Sequence, residues 1–275
     1  MFLFALKTSE FLIKMTIDIF QVDAFVGKGL KGNPAAVCPL NEWIETSLMQ
    51  DIAEENNLSE TVFFVPQLDG TFEIRWFTPS NEVNLCGHAT MAASYVIYNY
   101  LDYKNNLITF SSRSGNLIIN KNDEAIEMNF PKADLRKLPY DSNLERALGK
   151  SYQELYFAGE DYLVIFTDES IVTALTPDFN LLKSFENRGV IVSSASKQAD
   201  FISRAFFPKL NINEDPVCGS AHTHLTPYWS NKLNKTKLHA RQASSRGGEL
   251  FCQLKDDRVL LSGKCKLFLQ GKIFI

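Results

Sequence analysis

The sequence predicts an α+β fold of two pseudo-symmetric domains, each a set of strands around one central helix. Three observations carry this. Period-two, β-branched text recurs along the whole chain. The segment 83–101 contains no Asp, Glu, Lys or Arg, and its Ala89, Ala92, Ala93, Val96, Ile97, Tyr100 and Leu101 fall on one helical face. Finally, NLCGHATMAASY (84–95) is echoed by DPVCGSAHTHLT (215–226), each placing Cys-Gly at the end of an extended segment that opens a helix rich in small residues. Cys86 and Cys218 lie about half a chain length apart, which points to a duplicated unit. A length of 275 residues also suits two domains of ordinary size.

Taken in order, TIDIFQVDAF from Thr16 reads as a strand, and GKGLKGNPAAV, with three glycines and a proline, as a loop. Leu48, Met49, Ile52 and Ala53 have helical spacing within 46–56, with Thr46 as its cap. TVFFV (61–65) and TFEIRWF (71–77) form two strands around a turn at Asp69-Gly70. After the turn 78–81 the uncharged helix starts near Gly87, followed by strands LITFSSR, NLIIN and AIEMNF as far as Pro131. The second half gives strands LYFAG, YLVIF, GVIVSS and DFISRAFF, one helix from near Pro177, and then strands KLHARQAS, GELFCQL, RVLLS and KLFLQ. Residues 1–14 carry an apolar run broken by Lys7, Ser9 and Glu10 without a small-residue cleavage site, and are expected to be an extension outside the fold.

Composition narrows the function. Hydrophobic residues at 45%, with only 14 Gly and 10 Pro, exclude a disordered chain. A net charge of −4 without a basic cluster argues against a nucleic-acid partner. The uncharged stretch holds Asn84, His88, Thr90, Ser94 and Asn99 and is too polar for a membrane span. Five scattered cysteines (38, 86, 218, 252, 265) make no disulfide framework and fit a reducing, cytoplasmic setting.

A Cys-Gly at a helix N-terminus has a chemical meaning. Unpaired N–H groups and the positive dipole end favour an anion and lower a thiol's pKa. Two such termini at one cleft would hold a carboxylate between acid and base groups, an arrangement for moving a proton on and off carbon. Each cysteine alone reads more readily as a small buried hydrophobe than as a catalyst. Histidines 88, 222 and 224 with the two cysteines match no common zinc spacing, so no metal is expected. Glu60 precedes the apolar VFFV, where desolvation would raise its pKa; a solvated strand-end glutamate is the plainer alternative. Asp215 reads as a turn cap, Ser220 as a helix N-terminal residue and Arg246-Gly-Gly as a hairpin turn.

At these residues the sequence resembles the PhzF-like phenazine-biosynthesis isomerase family, whose fold is that of diaminopimelate epimerase. The resemblance runs from about Met15 to the C-terminus. Six blocks carry it: QVDAF (21–25), GNPAAV (32–37), LSETVFF (58–64), RWFTPSNEVNLCGHAT (75–90), DPVCGSAH (215–222) and RQASSRGGEL (241–250). It implies two domains, each a mostly antiparallel sheet or barrel around a central helix: 15–128 with a returning strand 264–275, and 129–263. It further implies an isomerase without metal or organic cofactor that shifts a proton between carbons of a small carboxylate in the interdomain cleft, with a homodimer possible. Carried onto this chain, Glu60 is the proton shuttle, His88, Asp215 and Ser220 support it, and Gly87, Gly219 and Asn33 bind substrate. The epimerase relatives use a cysteine at each helix start, whereas the phenazine enzymes depend on the glutamate. This chain has Glu60 and also Cys86 and Cys218, so a two-thiol racemase or epimerase of an amino or hydroxy acid stays open, as does a non-catalytic binder. The text Cys-Gly-His-Ala, where the epimerases have Cys-Gly-Asn-Gly, places it on the PhzF side.

Overall fold

A computed structural model describes residues 16–275; the expected extension 1–14 lies outside the described residues. The first half consists of β1 (Thr16–Val26), β2 (Asn33–Pro39), α1 (Thr46–Asn56), β3 (Glu60–Pro66), β4 (Phe72–Phe77), the short β5 (Glu82–Val83), α2 (Gly87–Tyr100), β6 (Leu107–Ser112), β7 (Gly115–Asn122) and β8 (Ala125–Pro131). Then come β9 (Leu135–Leu138), α3 (Ser142–Leu148), β10 (Glu154–Ala158), β11 (Asp161–Ile165), α4 (Glu169–Ala174), α5 (Phe179–Lys183), β12 (Val190–Ala195) and β13 (Phe201–Phe206). The chain closes with α6 (Gly219–Leu233), β14 (Lys237–Gln242), β15 (Gly248–Lys255) and β16 (Arg258–Phe274).

The strand order shows the duplication. In the first half β1-β2-β3-β4-β6-β7-β8 run side by side, with β2–β3 and β4–β6 parallel and the other pairs antiparallel. In the second half β10-β11-β12-β13-β14-β15-β16 repeat that scheme, with β11–β12 and β13–β14 parallel. Parallel neighbours need a crossover. The first crossover holds α1 in one half and α4 with α5 in the other; the second holds α2 and α6.

β16 joins the halves. Residues 258–263 lie between β15 and β8, and residues 264–274 pair with β1, which closes the first half into a ring of eight strands. RVLLS and KLFLQ are thus one strand rather than two. At the crossing, Phe25 forms a bulge in β1 at φ 61°, and its ring fills the space over Gly263, where a Cβ would stand 2.5 Å from Phe25 Cδ1. Only glycine fits that close approach.

Four further readings need correction. NPAAV, read as loop, belongs to β2, which pairs parallel with β3 and is almost wholly buried; tertiary burial overrides the Gly-Pro punctuation. Thr46 is the first helical residue, not the cap; Glu45 holds that position without a side-chain bond, and Thr46 Oγ1 accepts from Arg75. The helix expected from Pro177 is the short α5, capped by Asp178. Helices α3 and α4, capped by Asp141 and Asp168, were not anticipated.

Burial explains the central helices. All but four of the 14 residues of α2 are buried, and its alanines let β1, β2, β3 and β8 close around it. Its polar residues turn back on the helix: Thr90 Oγ1 donates to Cys86 O (2.6 Å) and Ser94 Oγ to Thr90 O (2.8 Å). Helix α6 does the same, Thr226 Oγ1 donating to His222 O (2.6 Å). Among the described residues no helix is long and apolar enough to cross a membrane, and all five cysteines are free.

Candidate active site

Because α2 and α6 occupy equivalent crossovers, their N-termini meet at the seam between the halves. A cavity of about 350 Å³ opens there, lined from the first half by Glu60, Cys86, Gly87 and His88, and from the second by Arg188, Asp215, Cys218, Gly219 and Ser220. Its remaining wall is apolar, with Leu85, Phe130, Phe207 and Ile212. The geometry therefore brings together Glu60, His88, Asp215, Ser220, Gly87, Gly219 and both helix-start cysteines, while Asn33 stands fully buried just behind the wall.

Asn33 is the hub behind that wall. Its Nδ2 donates to Asp215 Oδ1 (2.8 Å) and Val217 O (3.0 Å) and lies 3.3 Å from His88 Nδ1, while its Oδ1 accepts from Ser59 (3.3 Å). One amide thus ties β2 to both helix starts. Cys86 Sγ also lies 3.4 Å from His88 Nδ1, and His88 Nε2 faces Glu60. His88 Nε2 and Glu60 Oε2 stand 3.2 Å apart but off hydrogen-bond alignment, and neither has another partner among the described residues.

On the other side, Val217 N donates to Asp215 Oδ1 (3.2 Å), and Gln242 bridges the segment by donating to Asp215 O (2.7 Å) and accepting from Cys218 N (2.9 Å). Arg246 clamps the two halves: it donates to Gly32 O (2.8 Å) and Asp23 Oδ1 (2.7 Å), while Lys31 N donates to Arg246 O (2.9 Å). Arg246-Gly-Gly lies in the β14–β15 hairpin as read, and it also fixes the loop that delivers Asn33.

The titration of these groups follows from burial. Desolvation, and then the nearby Asp215 charge, push the Glu60 carboxyl up to about 8, against an opposing pull from the Cys86 thiol. Desolvation raises Asp215 to about 6, against hydrogen bonds from Cys218, Val217 N–H and Asn33. His88 is pushed down to about 4 by burial and is neutral at pH 7. Both thiols move up: burial and the Glu60 charge raise Cys86 well above the thiol range, and burial and the Asp215 charge raise Cys218. The helix N-termini were expected to lower them; burial beside carboxylates outweighs that field.

The first turns of α2 and α6 leave the N–H groups of Gly87, His88, Gly219 and Ser220 without intrahelical partners. A Cβ at Gly219 would meet nothing within 4 Å, so glycine there keeps cavity space open. Glu60, Cys86 and His88 also offer ligand atoms within 4.8 Å of one another, a donor set able to hold a cation once the thiol is deprotonated. His222 and His224 do not join it: His222 Nδ1 bonds Cys218 O (2.8 Å) with its ring near Phe201, and His224 faces the buried Asp161 at 3.6 Å. Sequence reasoning missed Arg188, Asp161, Gln242 and the apolar wall. The partners of Arg188 are more than 20 residues away and no block covers it, whereas Gln242 lies inside the block 241–250, of which only the Arg246-Gly-Gly turn was read.

The duplicated strand-and-helix fold is that of the epimerase-like proteins. A hydroxyproline epimerase from Agrobacterium vitis shares it at the level of fold alone (TM-score 0.59, 8% identity, 94% of this chain and 93% of that one). The chain belongs to the PhzF-like isomerase family: the family profile described as "Phenazine biosynthesis-like protein" (PhzC-PhzF) matches residues 22–271. An uncharacterized isomerase of Pseudomonas aeruginosa is 45% identical over 95% of this chain and its own full length. The crystal structure of a PhzF-family protein from Enterococcus faecalis superposes with a TM-score of 0.92 at 45% identity, covering 95% of this chain and all of that one.

Proposed function

We propose that this protein isomerises a small carboxylate by moving a proton between two of its carbon atoms, in the cavity between the halves, with Glu60 as both acid and base. The carrying observation is that Glu60, 3.2 Å from His88, and Asp215 line one cavity at the starts of both central helices, with burial raising both carboxyls and the Asp215 charge raising Glu60 further. The substrate carboxylate lies against the N–H groups of Gly87 and Gly219 at the positive ends of α2 and α6. Glu60 gives its proton to an electron-rich carbon, and the carboxylate so formed removes a proton from a second carbon. Glu60 ends as it began, and the substrate's composition is unchanged. Neutral His88 orients Glu60, Asp215 keeps its proton on until it is used, and Asn33 holds both supports in register.

The two-thiol racemase reading retains one observation, that Cys86 and Cys218 both line the cavity. It needs a thiolate at rest, which the raised pKa of both thiols disfavours. The test is a screen of carboxylate metabolites in heavy water, read by mass spectrometry, with native protein and Glu60→Gln. Native protein incorporates solvent deuterium into at least one compound, and the variant loses about 10²–10⁴ of the rate. Binding without exchange in native protein would make it a binder instead.

A further inference from the structure

We infer that Arg188 is the specificity-determining residue of this cavity and selects a substrate carrying a second anionic group besides the carboxylate at the helix N-termini. The inference rests on the reading of the cavity as a substrate site.

Arg188 stands one position before Gly189, the residue that matches Glu60 when β3 and β12 are aligned by their registers to Phe77 and Phe206. Glu60 opens β3, the strand after the first crossover, and faces His88 at 3.2 Å in the first turn of α2. In the second half the strand after the first crossover is β12, and the cavity residue just ahead of it is Arg188. It faces Ser220, the counterpart of His88 in the first turn of α6, at 3.5 Å. The backbone keeps Arg188 in the same ladder, its N–H donating to Glu160 O (2.7 Å) beside β11. So where one half sets a carboxyl at the cavity, the other sets a guanidinium.

That guanidinium is built in. Arg188 Nε and Nη2 bind both oxygens of Asp161 (3.0 and 2.5 Å), a residue with no exposed surface, and its plane lies over the Phe207 ring at 5.3 Å. A planar cation held on one edge by a buried carboxylate and on one face by a ring has lost its rotational freedom. Among the described residues its third nitrogen, Nη1, has only the solvent-exposed Glu160 carboxylate at 3.8 Å. Arg188 stays about one-third exposed, and that surface borders the cavity. A fixed guanidinium with a nitrogen to spare is suited to a carboxylate or phosphate oxygen. The Gly87 and Gly219 N–H groups already serve one anionic group, so Arg188 serves a second, with the apolar body between them against Phe130 and Ile212.

The experiment compares matched probes that differ by one carboxylate, butanoate with butanedioate and benzoate with isophthalate, by isothermal titration calorimetry. In at least one pair the dicarboxylate binds native protein about tenfold or more tightly, the usual scale of a charged hydrogen bond. Arg188→Met alone strands Asp161 as an unpaired buried charge, so the double variant Arg188→Met/Asp161→Asn is used beside it. The double variant binds both members of each pair alike, and Arg188→Lys keeps part of the preference. Equal affinities in native protein, no measurable binding of either dicarboxylate, or a preference that survives in the folded double variant overturns the inference. Since the readout is binding, its failure is separate from that of the Glu60 exchange test.

Discussion

The two halves of this molecule offer the same scaffold with opposite chemistry. Each ends an extended segment in Cys-Gly at the start of a buried helix, and each opens unpaired N–H groups on one cavity. In the first half the adjoining strand brings Glu60 beside His88; in the second, Arg188, one position before the register equivalent Gly189, stands beside Ser220. A symmetric pair of acid–base groups would suit inversion at one carbon, with a base on each face. The pair seen here is asymmetric: one titratable carboxyl and one permanent cation. Duplication thus supplies the two facing helix starts, while the proton transfer proposed for Glu60 and the recognition proposed for Arg188 would divide between the halves.

The comparison breaks most visibly at Gly219. A Cβ there meets no protein atom within 4 Å, so Gly219→Ala leaves the fold intact while occupying cavity space. Turnover falls by about 10- to 100-fold, the scale of 1–3 kcal/mol of overpacking, with the melting temperature within a few degrees of native. A variant that folds as native and keeps full activity shows that the cavity is not where the substrate sits. Next in size is the coupling between halves carried by Asp215, whose charge raises Glu60. Activity in native protein is confined between limbs near 6 and 8, set by Asp215 ionised and Glu60 protonated. Asp215→Asn removes the lower limb and moves the upper one below about 8; a pH–rate profile with both limbs in place contradicts the coupling.

The smallest effect is on stability. Glu60 rises from 4.5 to about 8 on folding, so the folded protein keeps a proton the unfolded chain releases. That contribution is full below the unfolded value and is lost as pH climbs through about 8. Asp215 acts in the same direction but is spent by about 6. His88, lowered from 6.5 to about 4, acts oppositely and only below about 6.5. Between pH 6.5 and 8 stability therefore falls through Glu60, by up to about 1.4 kcal/mol per pH unit. Urea midpoints for native protein and Glu60→Gln over that window expose the slope, which the variant flattens; equal slopes mean that Glu60 is not buried as described.

How much of this was readable beforehand depends on the distance over which each feature is decided. Helix α2 was legible because a fully enclosed helix must shed every charge locally, and its echo at α6 revealed the duplication. The strand β2 was not, because GNPAA carries loop residues and only pairing with β1 and β3 makes it a strand. The text Gly263-Lys264-Cys265 splits β16 into two apparent strands, although the ladder to β1 continues through Lys264 and Cys265 across the bulge at Phe25. The short helices α3 and α4 did leave a signal, an aspartate at each N-cap, but too few residues follow for periodicity to show. Within the site, Glu60, His88 and Asp215 stood out through their blocks. Arg188 had no such text, since its meaning comes from Asp161 and Ser220, 27 and 32 positions away.

The central claim is that the carboxyl of the first half, rather than either thiol, moves the proton. Solvent-deuterium incorporation into a substrate found by the metabolite screen tests it directly, measured side by side for native protein, Glu60→Gln, Cys86→Ser and Cys218→Ser. The account predicts loss of about 10²–10⁴ in the Glu60 variant and rates within about tenfold of native in both cysteine variants. Near-native exchange by Glu60→Gln, together with its loss in either cysteine variant, would contradict it.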